Sequence, residues 1–235
     1  MQIAGIQKTT LVDFPGKIAA TVFLRGCNFR CGFCHNPELV LPEQFLPIIN
    51  QDELFRFLES RIGKLQGVCI TGGEPLLWNT TRKLISHIKA LGFAVKLDTN
   101  GSYPKRLEEI MADGDVDYIA MDIKSSLTKY AKTISSNQLP TSDKNLLSDI
   151  QKSIQLIIGS NLNYEFRTTA VKPLHTPEDF HKIGKIVKGA KRFYIQNFVH
   201  SKHIKQPHEY MPFTKVELKR SLEIISAYVS EAGLR

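Results

Sequence analysis

The 235-residue chain reads as an α/β protein: an incomplete TIM-like barrel of about six parallel strand-helix units, open on one side. Three observations lead there. Apolar, β-branched runs alternate with helical patterns, as parallel sheets with covering helices require. Helix starts carry capping residues. Finally, polar residues gather at the carboxyl end of each run, the edge on which barrels and open α/β sheets build their sites.

In chain order the strand runs are "AATVFLRG", "GVCITGG", "AVKLDTNG", "YIAMDIKS", "YEFRTTAV" and "RFYIQNF". Their ends carry Arg25 and Cys27, Gly72 to Glu74, Asp98 to Asn100, Asp122 and Lys124, Arg167 and Thr168, and Gln196 and Asn197. Between the runs, Asn50 precedes "QDELFRFLESRIG" with Glu53 three residues on, which predicts a capped helix. "TTRKLISHIKALG" places Leu84, Ile85, Ile88 and Leu91 on one face and stops at Gly92, a residue suited to a left-handed C-terminal position. Thr176 stands before Pro177 with Asp179 at the third helical position. Thr214 bears the same relation to Glu217, and Leu218, Leu222, Ile225 and Val229 then share a face. The polar stretch from Ser135 to Asn145 reads as a loop.

Length and a 42% apolar composition suit one globular domain spanning residues 1–235. No secretory signal and no run of roughly 20 apolar residues is visible, so a cytoplasmic protein with reduced thiols is expected and no membrane partner. The formal charge is +8, and from Lys172 to Arg235 there are 12 Lys or Arg against 6 Asp or Glu. That excess reads either as solvated helix faces or as a surface that attracts an acidic partner. No basic motif interleaved with aromatics accompanies it, which argues against nucleic acid as the partner.

Three of the four cysteines, Cys27, Cys31 and Cys34, fall within "CNFRCGFC". A structural zinc wants four ligands. His35 adjoins Cys34 too closely to serve easily, although Cys69 remains a formal fourth. A redox dithiol of Cys31 and Cys34 leaves Cys27 unexplained. An iron-sulfur cubane is the third option: three local thiolates would leave one iron open for a ligand or substrate.

The C-x3-C-x2-C spacing, with Phe33 before the last cysteine and "GGEP" at Gly72 to Pro75, resembles the radical S-adenosylmethionine superfamily. The closer resemblance is to activating enzymes of glycyl radical enzymes, and among them to anaerobic ribonucleoside-triphosphate reductase activating proteins. It is carried by "TTLVDFPGK", "GCNFRCGFCHNPEL", "TGGEPLL", "KLDTNG", "DYIAMDIK" and "EFRTTAV", from Thr9 to Val171. The resemblance implies a 4Fe-4S cluster on Cys27, Cys31 and Cys34, and S-adenosyl-L-methionine held by Phe33, Gly72, Gly73, Glu74, Asp98, Asn100, Asp122, Lys124, Arg167 and Gln196. The glycines would permit close backbone approach, and Glu74 suits an ammonium group. An internal ion pair that merely organises the rim is the plainer reading of Asp98 and Lys124. Formate-lyase activating enzymes, a more distant likeness, hold a monovalent cation near the positions that Asp98, Thr99 and Asp122 match, so a cation there is an open expectation. They also have a histidine where this chain reads "IQNFVH", which leaves the matching role between Gln196 and His200.

Cys69 has apolar neighbours and reads as a small core residue. With three sulfurs committed and that one buried, no second cubane can be built. His87, His175, His181, His203 and His208 show no ligand spacing, and only His35 stands beside the expected chemistry. The resemblance therefore implies an oxidoreductase that generates a glycyl radical on a partner enzyme, with a reductant such as flavodoxin or ferredoxin. The rival enzyme reading is radical chemistry on a small molecule or peptide. A zinc-stabilised basic nucleic-acid-binding module is the rival outside enzymes.

Overall fold

The computed structural model describes residues 2–135, 145–200, 204 and 208–235. Most of the expected loop from Ser135 to Asn145, and His203, lie outside the described residues. The chain divides into two compact units, Met1–Asn28 with Asn36–Thr99 and Lys105–Ile119, and Phe29–His35 with Asn100–Pro104 and Ala120–Arg235.

In the first unit, β1 (Ile3–Thr10) runs antiparallel to β2 (Ala19–Leu24). Helix α1 (Gln51–Glu59), β3 (Gly67–Gly72), α2 (Thr81–Ala90), β4 (Ala94–Thr99) and α3 (Pro104–Asp113) follow. β2, β3 and β4 are parallel neighbours, with Cys69 beside Thr21 on one side and Lys96 on the other. A central parallel strand is covered on both faces. β3 accordingly buries Gly67, Val68, Cys69 and Ile70. Leu54 and Leu58 of α1, and Leu84, Ile85 and Ile88 of α2, are buried in the same unit. The Asn50 side chain accepts from the Asp52 amide at 2.9 Å, a cap of the kind its position predicts. Gly92 closes the turn after α2 at φ +89°, a left-handed conformation that side chains disfavour.

β5 (Tyr118–Asp122) begins in the first unit and ends in the second, which continues with α4 (Tyr130–Ile134), α5 (Leu146–Ile158), β6 (Asn163–Lys172), α6 (Asp179–Ile186), β7 (Arg192–Asn197), β8 (Met211–Pro212), α7 (Lys215–Ser226) and β9 (Glu231–Leu234). β6, β7 and β9 are parallel, and β8 adds two antiparallel residues to β6. Ile150, Ile154 and Ile157 of α5 and Phe180 and Ile183 of α6 are fully buried with Phe166, Phe193 and Ile195 of the strands. Thr214 and Glu217 form the expected reciprocal box at the start of α7. α6 begins at Asp179, later than Thr176 and Pro177 suggest: the Asp179 carboxylate accepts from the Thr176 amide at 2.9 Å as a third helical position should, but the Asp179 and Phe180 amides bond three residues back, to Thr176 and Pro177, so the first turn is tighter than an α-helix. Val229 lies beyond the last turn of α7. All six expected strands form, whereas β1, β8 and β9 are additions.

Candidate active site

In the first unit the β2–β3 ladder continues past both strands. The Gly73 amide donates to the Leu24 carbonyl at 2.9 Å and the Glu74 amide to the Gly26 carbonyl at 2.7 Å. This brings Gly73 against the backbone that leads into Cys27. Gly72 has φ +131°, and a Cβ there would sit 2.1 Å from the Leu24 oxygen. One on Gly73 would sit 2.1 Å from the Gly26 oxygen and 3.1 Å from the Cys27 Cβ. What these two glycines admit in this structure is thus the chain's own backbone. Glu74 is wholly buried, and its Oε1 accepts from the Leu76 amide at 2.9 Å and the Thr99 hydroxyl at 2.8 Å, tying the end of β4 to the turn. Asp98 forms an ion pair with Lys96, two residues back on the same face of β4.

In the second unit, the loop from Phe29 to His35 is pinned at several points. The Arg30 amide donates to the Ile134 carbonyl at 2.8 Å, and the Cys34 amide to the Cys31 carbonyl at 3.1 Å. Phe33 is buried with Val171, Phe198 and Ile204, and its ring meets Tyr210 edge-on at 6.2 Å. A Cβ on Gly32 would lie 2.0 Å from the Tyr210 hydroxyl, so a larger residue between the two cysteines would have to displace that ring. His35 stacks on Phe198 at 5.6 Å, with its Nε2 3.0 Å from the Val199 carbonyl.

Asp122, Lys124 and Arg167 form one charged group: Arg167 Nε donates to Asp122 Oδ1 at 2.9 Å and Lys124 Nζ to Oδ2 at 3.0 Å. Burial alone would raise the Asp122 pKa, but the charges of Arg167 and Lys124 prevail and hold it well below the usual carboxylate range. Lys124 is likewise kept protonated well above the ordinary lysine value: burial pulls the other way, and Asp122, then Cys31, outweigh it. Burial pushes the Cys31 thiol up to about 12 against the pull of Lys124, so a thiolate there calls for a metal cation. Asn100 accepts from the Ser102 amide at 2.9 Å and hydroxyl at 2.6 Å. Gln196 lies opposite Thr169 in the β6–β7 ladder. Within its own unit Asp98 pairs with Lys96, and Lys124 pairs with Asp122.

Sequence reasoning passed over His175 and Lys96. His175 is buried, with Nε2 2.8 Å from the Lys124 carbonyl and Nδ1 3.3 Å from the Val171 amide. A carbonyl only accepts, so Nε2 carries the proton and Nδ1 accepts from Val171. Burial depresses the His175 pKa below 6.5, outweighing its bonds to backbone and the charge of Asp179, with Lys129 also lowering it. An unfolded histidine then takes up a proton that the folded one refuses. Stability contributed by neutral His175 is complete above about pH 6.5 and falls as pH drops through the lower, folded value. The thermal midpoint should decline as pH falls below about 6.5, and His175→Gln, which can donate and accept in the same way, should flatten that decline. An equal decline in both proteins would assign it to other groups.

Residues 21–142 match the Radical SAM superfamily. Over 99% of this chain and 95% of the other, the sequence is 30% identical to a Methanocaldococcus jannaschii protein classed among glycyl-radical enzyme activating enzymes. The chain belongs to the radical SAM superfamily, among the activating enzymes. A 7-carboxy-7-deazaguanine synthase of Methanopyrus kandleri is 33% identical over 47% of this chain and 51% of its own. The structure of Streptococcus suis SuiB bound to S-adenosylmethionine superposes with a TM-score of 0.64 at 15% identity, covering 91% of this chain and 51% of that one. Identity that low speaks for the fold alone, an α/β fold with a mostly parallel sheet that does not close, as expected.

The superfamily binds a 4Fe-4S cluster and S-adenosylmethionine. This chain's donors fit the cluster: Cys27, Cys31 and Cys34 are thiols outside any disulfide and half-buried, whereas Cys69 is enclosed in β3. Among the described residues no three His, Cys, Asp or Glu side chains are gathered to chelate one ion. A cubane asks for less, since each thiolate holds a different iron.

The basic excess after Lys172 is partly neutralised on the spot. Lys172 pairs with Glu217, Arg220 with Glu178 and Arg235 with Glu165. No helix among the described residues is long and apolar enough to cross a membrane.

Proposed function

We propose that this radical SAM protein, acting in the cytoplasm, activates a glycyl radical enzyme, and specifically an anaerobic ribonucleoside-triphosphate reductase, by removing a hydrogen atom from one backbone glycine of that partner. The observation that carries the reading is the similarity to an activating enzyme along 99% of the chain. The enclosed Cys69 supports it, because the thiols left over cannot hold the auxiliary cluster that more elaborate radical chemistry employs. When bound, the cluster and S-adenosylmethionine supply a 5'-deoxyadenosyl radical as hydrogen acceptor.

The chain's own residues have distinct parts. Cys27, Cys31 and Cys34 hold three irons. The Asp122, Lys124 and Arg167 side chains remain partly exposed, at 30%, 21% and 13%, and offer charges of both signs to a zwitterionic ligand. Charge-assisted hydrogen bonds of that kind contribute about 1.5–3 kcal/mol each. Gly72, Gly73, Glu74, Asp98 and Asn100, at the ends of β3 and β4, are further proposed contacts to S-adenosylmethionine, and Phe33 and Gln196 complete the set. Flavodoxin or ferredoxin is the proposed electron source.

Mixed anaerobically with reductant, S-adenosylmethionine and the reductase, the protein should yield 5'-deoxyadenosine and a doublet radical signal on the reductase. Deuterium at the glycine Cα should collapse the doublet, because the splitting comes from the remaining hydrogen. The likeness to 7-carboxy-7-deazaguanine synthase favours the second reading, chemistry on a small molecule. A radical product confined to a small molecule, with every candidate glycyl protein silent, would transfer the assignment there.

A further inference from the structure

β5 ends at Asp122, so Lys124 lies two residues beyond the strand. Side chains take over the backbone bonds there. The Ile123 amide still donates to the Arg167 carbonyl of β6 at 2.8 Å, but the Ile123 carbonyl accepts from the Thr168 hydroxyl at 2.7 Å. The Lys124 amide donates to the Tyr130 hydroxyl at 3.3 Å, and the Lys124 carbonyl accepts from His175 Nε2 at 2.8 Å. We infer that His175 and Tyr130 are positioning residues for Lys124: they grip its backbone from either end and so aim its ammonium at the carboxylate of bound S-adenosylmethionine, a role that rests on the proposed contact between Lys124 and that cofactor.

Both grips are themselves held in place. The His175 amide bonds back to the Val171 carbonyl at 2.9 Å, which closes the turn that carries the ring, and Nδ1 accepts from the Val171 amide at 3.3 Å. With both ring nitrogens engaged and 1% of the residue exposed, the imidazole is fixed in orientation. Val171 is buried with Phe33, and Cys31 packs against the same cluster, so one ring joins the wall of the cysteine loop to the backbone of Lys124. Tyr130 is wholly buried, with its ring edge-on to Phe29 at 6.5 Å. The Lys129 amide bonds to the Ser126 carbonyl at 2.9 Å, folding the intervening turn so that the Tyr130 hydroxyl comes back to Lys124, and Lys129 Nζ is tied to Asp179 at 2.6 Å. Residues 123–130 are thus fastened at both ends to residues 167–179. The Lys124 side chain itself stays 21% exposed, with Nζ 3.0 Å from Asp122. Lysine has a flexible four-carbon stem, and a fixed backbone origin reduces the freedom it must give up on meeting a carboxylate.

The test uses anaerobically reconstituted protein without reductant, so that S-adenosylmethionine binds without turning over. Calorimetry reads the dissociation constant, with iron content and thermal midpoint measured alongside. Lys124→Met should raise the constant about thirtyfold through loss of one charge-assisted hydrogen bond. His175→Leu should raise it about tenfold at unchanged iron content, and His175→Gln, which can donate and accept in the same way, should recover most of that loss. Tyr130→Phe, which keeps the ring and removes the acceptor, should raise it about threefold. A residue that merely satisfies buried backbone would weaken binding equally with or without the ammonium. A positioning residue has nothing to aim once the ammonium is gone, so in the Lys124→Met protein His175→Leu and Tyr130→Phe should each change the constant by less than about twofold. If His175→Leu does not fold, Tyr130→Phe and the Lys124→Met, Tyr130→Phe protein decide the matter. Weak binding by Lys124→Met beside normal binding by His175→Leu and Tyr130→Phe, or losses that persist in full in the Lys124→Met protein, would overturn the positioning roles and leave the cofactor contact standing. Normal binding by Lys124→Met would instead remove Lys124 from the cofactor site, and His175 and Tyr130 with it.

Discussion

Cys31→Ala should abolish the cluster, reducing iron from about four atoms per chain after anaerobic reconstitution to a small residue, and with it all cleavage of S-adenosylmethionine. The thiol is half-buried in a loop fixed by Arg30, Phe33 and the Cys34 turn, so no other side chain of that loop can swing into its place. Lys124 adds a local positive charge that favours a thiolate, and an alanine there would leave Cys34 alone in its turn. Cys69→Ala is the matched control. It removes one sulfur from the interior of β3, should cost about 1 kcal/mol of packing, and should leave the iron content and the absorption that bleaches with dithionite unchanged. Iron retained by Cys31→Ala and lost from Cys69→Ala would reverse the ligand assignment.

The six expected strands were legible because each is a short β-branched run that ends in polar residues, and a strand covered on both faces has little choice of composition. β1, "IAGIQKTT", escaped notice because it mixes a glycine with exposed polar side chains, as an edge strand tolerates. β9 has only four residues, "EAGL", with no β-branched side chain, and is a strand by virtue of its pairing with β7. Tertiary pairing rather than local propensity makes it. At α6 the capping signal was read correctly as a start, but backbone bonds spanning three residues make the turn from Thr176 tighter than an α-helix, which begins only at Asp179.

At the site, residue types that ligate or carry charge announced themselves at strand ends. The side chains that hold them in place did not. Lys96 sits inside a strand whose pattern is otherwise apolar inward, and a lone lysine in "AVKLDT" was the one available signal for it. His175 carried none, because its partners are the backbone of Lys124 and Val171, which any residue type provides. The reason for the "GG" of "GGEP" was also invisible in sequence. A glycine needed for a ligand and one needed for a neighbouring strand look alike until the register is known, and here the register sets Gly72 opposite Leu24.

That register makes Gly73→Val a strongly disruptive substitution in the first unit. Gly73 has no left-handed strain to relieve, so the damage is one of contact: a Cβ would press to 2.1 Å from the Gly26 oxygen and 2.6 Å from its carbonyl carbon. Gly26 cannot yield easily. Its amide is bonded to the Leu39 carbonyl at 2.7 Å, it stands at φ +93°, and its open side faces Leu77 and Trp78. The strain therefore passes along the chain to Cys27, whose Cβ would itself be 3.1 Å from the new carbon. Overpacking of this kind and the loss of a ladder hydrogen bond together cost about 3 kcal/mol, or roughly 10 °C in thermal midpoint. Iron content should fall in parallel, because one of the three thiolates is displaced. Gly92→Ala provides the comparison: nothing lies within 4 Å of a Cβ there, so only the left-handed backbone is penalised, by about 1 kcal/mol, with iron binding intact. A Gly73→Val protein with a normal midpoint and full iron that fails only to bind S-adenosylmethionine would show that the glycine faces the ligand and not β2, and would overturn this account of the turn.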